Sequence, residues 1–184
     1  MAKVAALTYG EALFELALEK NTLTTMVEEV TFVKEQVTQY PDLVKLLTHP
    51  QIAKEEKIQV IEKIFRGQVS DDLTGFLVLI VEKDRAASVV EILNSFLDKA
   101  REHEKIGVVF VTSAMTLTQQ QKQKVETKLL AITDYVKLEM NYTVDSSLIG
   151  GMIIRIGDRI VDNSIRTKLL SMKQGLLKVS LSEN

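Results

Sequence analysis

The sequence predicts an α+β chain: an N-terminal six-helix bundle over residues 1–105, followed by a small mixed α/β domain over residues 106–184 with a β-α-β unit. Three observations predict it. Apolar residues recur at helical spacing from residue 3 to about residue 104. From Ile106 the period drops to two, in β-branched segments. The changeover falls in the charged run Arg101-Glu102-His103-Glu104-Lys105, and helices followed by a strand-helix-strand unit imply two cores.

The first helix spans roughly Lys3 to Lys20. The second carries Leu23, Met26, Val27, Val30, Val33 and Val37 on one face, with Thr25 and Glu28 spaced as a capping box at its start. Pro41 opens a short third helix to Leu47, and His49-Pro50 breaks the chain. A fourth helix covers Lys54 to Phe65, with Gly67 as its stop. Ser70 caps the fifth, where Asp71 and Asp72 sit in the first turn. The sixth covers about Ala86 to Glu104, with Val89, Val90, Leu93, Phe96, Leu97 and Ala100 inward. GVVFVTSA then reads as a buried strand, and Thr118 with Gln121 opens a helix to about Ile132. In YVKLEMNYTV the residues Val136, Leu138, Met140, Tyr142 and Val144 alternate with polar ones, giving a strand with one wet face. Gly150-Gly151 punctuates, MIIRI is a strand, Gly157-Asp158 turns, and Ile160-Val161 returns. Asn163 or Ser164 caps a last helix with Ile165, Leu169, Met172 and Leu176 on one side.

Composition removes several function classes. A net charge of −2 over 184 residues offers no basic field for nucleic acid. Cysteine is absent, so thiolate metal sites and disulfides are excluded. Glu11, Glu15 and Glu19 interrupt the apolar N-terminus, which therefore lacks a signal-peptide core. The longest purely apolar run, Phe76 to Val81, is far short of the ~20 residues that cross a bilayer. His49 and His103 lie in a breaker loop and a charged run, away from any nucleophile pattern. No phosphate-loop pattern is present, and Gly150-Gly151 opens no helix. Arg155, Asp158, Arg159, Asp162 and Arg166 form the densest charged group. Asp162 and Arg166 stand four apart at a helix start, which favours ion pairing and turn chemistry over acid–base work. No catalytic centre, metal or cofactor is expected.

What remains is too much apolar helix surface. On helix one, Ala6, Gly10, Leu13 and Ala17 share one direction, with Leu7, Phe14 and Leu18 to one side and Ala5, Tyr9, Ala12 and Leu16 to the other. At about 100° per residue the arc spans roughly 240°, whereas one core needs a little over 100°. Helix five leaves only a narrow polar wedge near Asp72, Gly75, Glu82 and Lys83. Either both helices sit centrally in the bundle, or one edge of each accepts another amphipathic helix. Periodicity alone does not separate the two.

YGEALFELALE, HPQIAKEEKIQVIEKIF, FLVLIVEKDRAASVVEILNSF and, most specifically, VDSSLIGGMIIRIGDRIVDNSIRTKLL resemble the delta subunit of bacterial F-type ATP synthases, related to the mitochondrial oligomycin-sensitivity-conferring protein. The resemblance covers nearly the whole chain. It implies a non-catalytic stator component, with an N-terminal domain that holds the N-terminal helix of an alpha subunit between helices one and five. The C-terminal domain would hold the b subunits of the peripheral stalk. By position, Ala5, Tyr9, Ala12, Leu16, Phe76 and Leu79 become the groove residues. Gly150, Gly151, Arg155, Gly157, Asp158, Asp162 and Arg166 become a C-terminal motif that sets the fold first and touches the stalk second. The implied setting is a single copy at the cytoplasmic face of a bacterial membrane, resisting rotor torque. A helical adaptor of another assembly is the alternative.

Overall fold

A computed structural model describes residues 2–182, with the side chains of residues 4–174. The chain divides into two compact units, Met1–His103 and Glu104–Asn184.

The first unit is helical: α1 (Ala2–Glu19), α2 (Leu23–Gln39), α3 (Pro41–Thr48), α4 (Lys54–Phe65), α5 (Asp71–Glu82) and α6 (Val89–His103). A single 3-10 turn, Ala86–Ser88, leads into α6, so the helix expected from Ala86 starts one turn late. The α1–α2 connection is tighter than the expected capping box allows. Asn21 takes the left-handed conformation (φ 53°), and the Thr22 N–H returns to the Ala17 carbonyl at 2.9 Å. Helix α2 therefore begins at Leu23, and Thr25 lies inside it rather than capping it. Gly67 (φ 82°) follows α4, and Ser70 Oγ accepts from the Leu73 N–H to cap α5. The core runs through Leu13, Val30, Val33, Phe65, Leu73, Leu77, Ile92 and Phe96, all essentially inaccessible.

Helix α1 packs chiefly along α6, and α5 along α4. The α1–α6 contact is close because Gly10 lies against Ser95 and Phe96: a Cβ on Gly10 would stand 2.7 Å from Ser95 Cβ. Lys99 pairs with Glu11 at 3.3 Å, and the rings of Phe14 and His103 meet edge to face at 5.6 Å. These pairings advance in the same sense, so the two helices run parallel.

In the second unit the elements are β1 (Ile106–Ser113), α7 (Gln119–Ile132), β2 (Lys137–Val144), β3 (Met152–Ile156), β4 (Arg159–Asp162) and α8 (Ile165–Ser182). A 3-10 turn, Ser146–Leu148, follows β2. The sheet order is β2-β1-β3-β4. Strands β1 and β2 are parallel, as a β-α-β unit requires, while β3 and β4 form an antiparallel hairpin beside β1. Thr118 and Gln121 cap α7 reciprocally, in the expected box. Val109, Val111, Leu129, Leu138 and Ile156 make the core. Strand β1 is buried on one face only; Phe110, on the other, is 42% exposed. The sequence reads GVVFVTSA as buried throughout, because β-branched runs look alike whether one face is covered or two. Among the described residues no helix is long and apolar enough to cross a membrane.

Candidate functional site: two helix edges and a glycine clasp

The excess apolar arc of α1 is divided by its neighbours. Ala6, Gly10, Leu13 and Ala17 face inward. On the edge formed by Ala5, Tyr9, Ala12 and Leu16, Ala12 is exposed and the other three are half-buried. Lys20 continues that edge at about 100° per residue, and its Nζ donates to both oxygens of Asp72, in the first turn of α5, at 2.6 and 2.7 Å. The end of α1 is thereby tied to the start of α5. Phe76 stands one turn beyond Asp72, and Leu79 one turn beyond that. Phe76 is largely sunk into the bundle, at 8% exposure, whereas Leu79 is 38% exposed. Gly75 beside them is exposed, and a Cβ there would meet nothing within 4 Å. Sequence periodicity supplies the two edges. It gives no sign of the Lys20–Asp72 pairing that orients them, since the partners are far apart in the chain.

The C-terminal motif is a clasp on the first turn of α8. Gly151 adopts φ 78°, and a Cβ there would stand 2.2 Å from the Asn163 carbonyl oxygen. The Asn163 N–H donates to Met152 O at 3.0 Å, and the Ile165 N–H to Gly150 O at 2.9 Å. The Gly150–Ile165 approach is close but softer, since a Cβ on Gly150 would lie 2.6 Å from Ile165 Cδ1, the far end of a side chain that can turn aside. Asp162 and Arg166 do not form the expected ion pair. Asp162 instead accepts from the Ser164 N–H at 2.8 Å and from the Thr167 hydroxyl at 2.8 Å, while Arg166 donates to Ser147 Oγ at 3.2 Å. A carboxylate just before a helix finds unpaired N–H groups pointing at it, and these outcompete a mobile guanidinium. Those bonds, led by the Ser164 N–H, hold the Asp162 carboxyl below the usual carboxylate range. The Ser147 N–H similarly bonds Asp145, whose carboxyl is lowered by its hydrogen bonds to Ser147.

Arg155 lies elsewhere, over the open face of the sheet, with its guanidinium 4.6 Å from the Phe110 ring centre. Gly157 (φ 54°) and the exposed Asp158 form the β3–β4 turn. Thus Gly150, Gly151, Asp162 and Arg166 converge, while Arg155, Gly157 and Asp158 do not join them. Among the described residues no group of three His, Asp or Glu side chains is placed to hold a metal. His49 Nδ1 accepts from the Gln51 N–H at 3.3 Å, and His103 meets Phe14. Neither stands beside a nucleophile in those contacts.

The model of the family described as "ATP synthase delta (OSCP) subunit" matches residues 5–176. The ATP synthase subunit delta of Lachnoclostridium phytofermentans is 51% identical over 98% of this chain and 100% of its own length. That of Alkalihalophilus pseudofirmus is 34% identical over 92% and 93%. A chain in the mitochondrial ATP synthase hexamer of Toxoplasma gondii superposes with a TM-score of 0.73, covering 94% of this chain and 97% of that one. Its 19% identity makes this a likeness of fold.

Proposed function

The chain belongs to the ATP synthase delta (OSCP) subunit family, and from that premise we propose that its helical unit seats the N-terminal helix of an alpha subunit between α1 and α5. Family membership makes it a structural subunit of the ATP synthase, a linker of the stator rather than a catalytic component, in the peripheral part of a membrane-bound complex. It also removes the reading as an adaptor of some unrelated assembly.

The observation that supports the alpha-subunit site is the Lys20–Asp72 tie between the two helices whose apolar edges are incompletely covered. Above that tie, Ala5 and Ala12 present small side chains that permit close backbone approach. Tyr9, Leu16 and Leu79 supply apolar area, with a polar tip on Tyr9, while Phe76, sunk into the bundle, offers little. A helix laid there would be held by shape and burial, as a static joint needs. The second half of the reading is that residues 106–184 hold the b subunits of the peripheral stalk at the cytoplasmic face. The chain would then resist the torque of a turning rotor by linking head to stalk.

The test is titration of the full chain with a peptide of the alpha-subunit N-terminal helix. Ala12→Asp buries a charge in the proposed contact and is expected to weaken binding by about 100-fold or more, ~3 kcal/mol. Because Ala12 is exposed in the free chain, the variant should fold normally. Undiminished affinity in a folded Ala12→Asp chain rules out this groove.

A further inference from the structure

We infer that α8 is the stalk-facing element of the C-terminal unit, and that its partner is an acidic amphipathic helix. The inference rests on the reading of residues 106–184 as the stalk-binding half and gives that half an address and a chemistry.

The clasp fixes only the first turn of α8. Beyond it, Leu169, Leu170 and Met172 are 51%, 52% and 65% exposed, and none joins the core of β1, β2, β3 and α7. An amphipathic helix held rigidly at one end, with its apolar stripe uncovered, is built to be covered by something else. The charge on α8 says what. Its sequence contains Arg166, Lys168, Lys173 and Lys178 and no Asp or Glu, in a chain whose net charge is −2. Arg166 is engaged by Ser147. Lys168 and Lys173 form no ion pair with the described residues and stand exposed beside the stripe. A helix with an apolar face flanked by carboxylates would match both features, with apolar burial giving affinity and the lysines giving register. An anionic membrane surface would also attract a basic amphipathic helix. The titration below therefore includes such a surface as a separate arm.

The experiment compares the full chain with a Lys168→Glu, Lys173→Glu variant and a Leu169→Ala, Met172→Ala variant. Each is titrated with the soluble helical segment of the stalk b subunit, with the alpha-subunit peptide, and with vesicles rich in phosphatidylserine. All four positions are exposed, so both variants are expected to fold and to keep alpha-peptide affinity within twofold. The proposal expects wild-type binding to the b segment to weaken at least tenfold in each variant. It also expects a lower salt dependence for the charge reversal, and partial recovery when an acidic residue of the b segment is changed to lysine. Unchanged affinity in both variants overturns the assignment of α8 while leaving the stalk reading intact. Absence of b binding by the wild type, with alpha-peptide binding retained, overturns the stalk reading itself. Vesicle binding that the charge reversal abolishes, without b binding, assigns α8 to the membrane instead.

Discussion

Two glycines lie inside helices of the first unit, and their surroundings call for opposite responses to the same substitution. A Cβ on Gly10 would lie 2.7 Å from both Ser95 Cβ and Ser95 Oγ, and 2.9 Å from the Phe96 backbone nitrogen. Carbon atoms in contact prefer about 3.5–4.0 Å, so the overlap is on the order of 1 Å. Ser95 Oγ can rotate aside, but its Cβ and the Phe96 nitrogen cannot. Phe96, Ile92 and Leu93 are fully buried, so α6 has nowhere to retreat. Overpacking of a tight interior costs roughly 1–3 kcal/mol, and a rigid backbone neighbour puts this case near the upper end. Replacing an interior helical glycine by alanine returns about 1 kcal/mol. Gly10→Ala should therefore destabilise by about 2 kcal/mol, lowering the melting midpoint of the helical unit by about 10 °C. Gly75→Ala, with open space around it, should gain about 1 kcal/mol. Circular dichroism at 222 nm during heating and urea titration of the full chain reads both. A neutral or stabilising Gly10→Ala would mean that α1 and α6 do not approach at this point.

Further tests follow from the same geometry. Gly151→Ala meets the Asn163 carbonyl and a left-handed backbone costing about 1–2 kcal/mol, so it should release α8; loss of amide protection at Ile165 would report it. Gly157→Ala shares only the backbone penalty, its surroundings being open, and should leave that amide protected. The Asp162 carboxyl is held below its ordinary value chiefly by the Ser164 N–H. Its contribution to the clasp is thus fully present above the usual carboxylate range and is lost as pH falls through the lowered value. Exchange corrected for intrinsic rate at Ser164 should be flat from neutral pH to about 5 and rise only in acid, and Asp162→Asn should show no such acid step. Lys20→Ala removes a half-exposed pair and should cost no more than about 1 kcal/mol, yet it should weaken alpha-peptide binding if the tie sets the spacing of α1 and α5.

Local chemistry was legible where its cause was local. Ser70, Thr118 and Pro41 mark helix starts because a side chain or a missing N–H acts within one turn. Thr25 and Glu28 have the spacing of a capping box but lie inside α2, because a left-handed Asn21 turns the chain before the hydroxyl is needed. Asp162 and Arg166 have the spacing of an ion pair, yet the helix N-terminus claims the carboxylate and Ser147 the guanidinium. Gly10 sits in the middle of the inward arc of α1, and nothing in that helix says that Ser95 presses on it. Lys20–Asp72 and Arg166–Ser147 likewise join distant positions. Only a comparison of many related sequences, in which paired positions change together, carries that kind of signal.

Periodicity reports that a helix face is buried; it is silent about what buries it. On α1 this left an excess beyond one core's need, which periodicity alone assigns neither to a central place in the bundle nor to a second contact. On α8 there is no excess: Ile165, Leu169 and Met172 mark an ordinary amphipathic helix, and only the structure shows that its own unit leaves that face open. Leu176, expected on the same face, has its side chain outside the described residues. The consequence is measurable in the free chain by amide exchange. A helix of α8's length without tertiary support is marginal in water, so its opening costs only about 0–1 kcal/mol and protection beyond the first turn should be below about tenfold. Ile165, bonded to Gly150 O, and Lys168, bonded to Ser164 O, should be better protected, and Val109 and Val111 in the central strand better still. Binding the stalk segment should raise the protection of Leu169 to Lys173 toward that of β1, and binding the alpha-subunit peptide should not. If those amides are already as protected as Val111 in the free chain, α8 has its cover within the protein and no outside helix is needed.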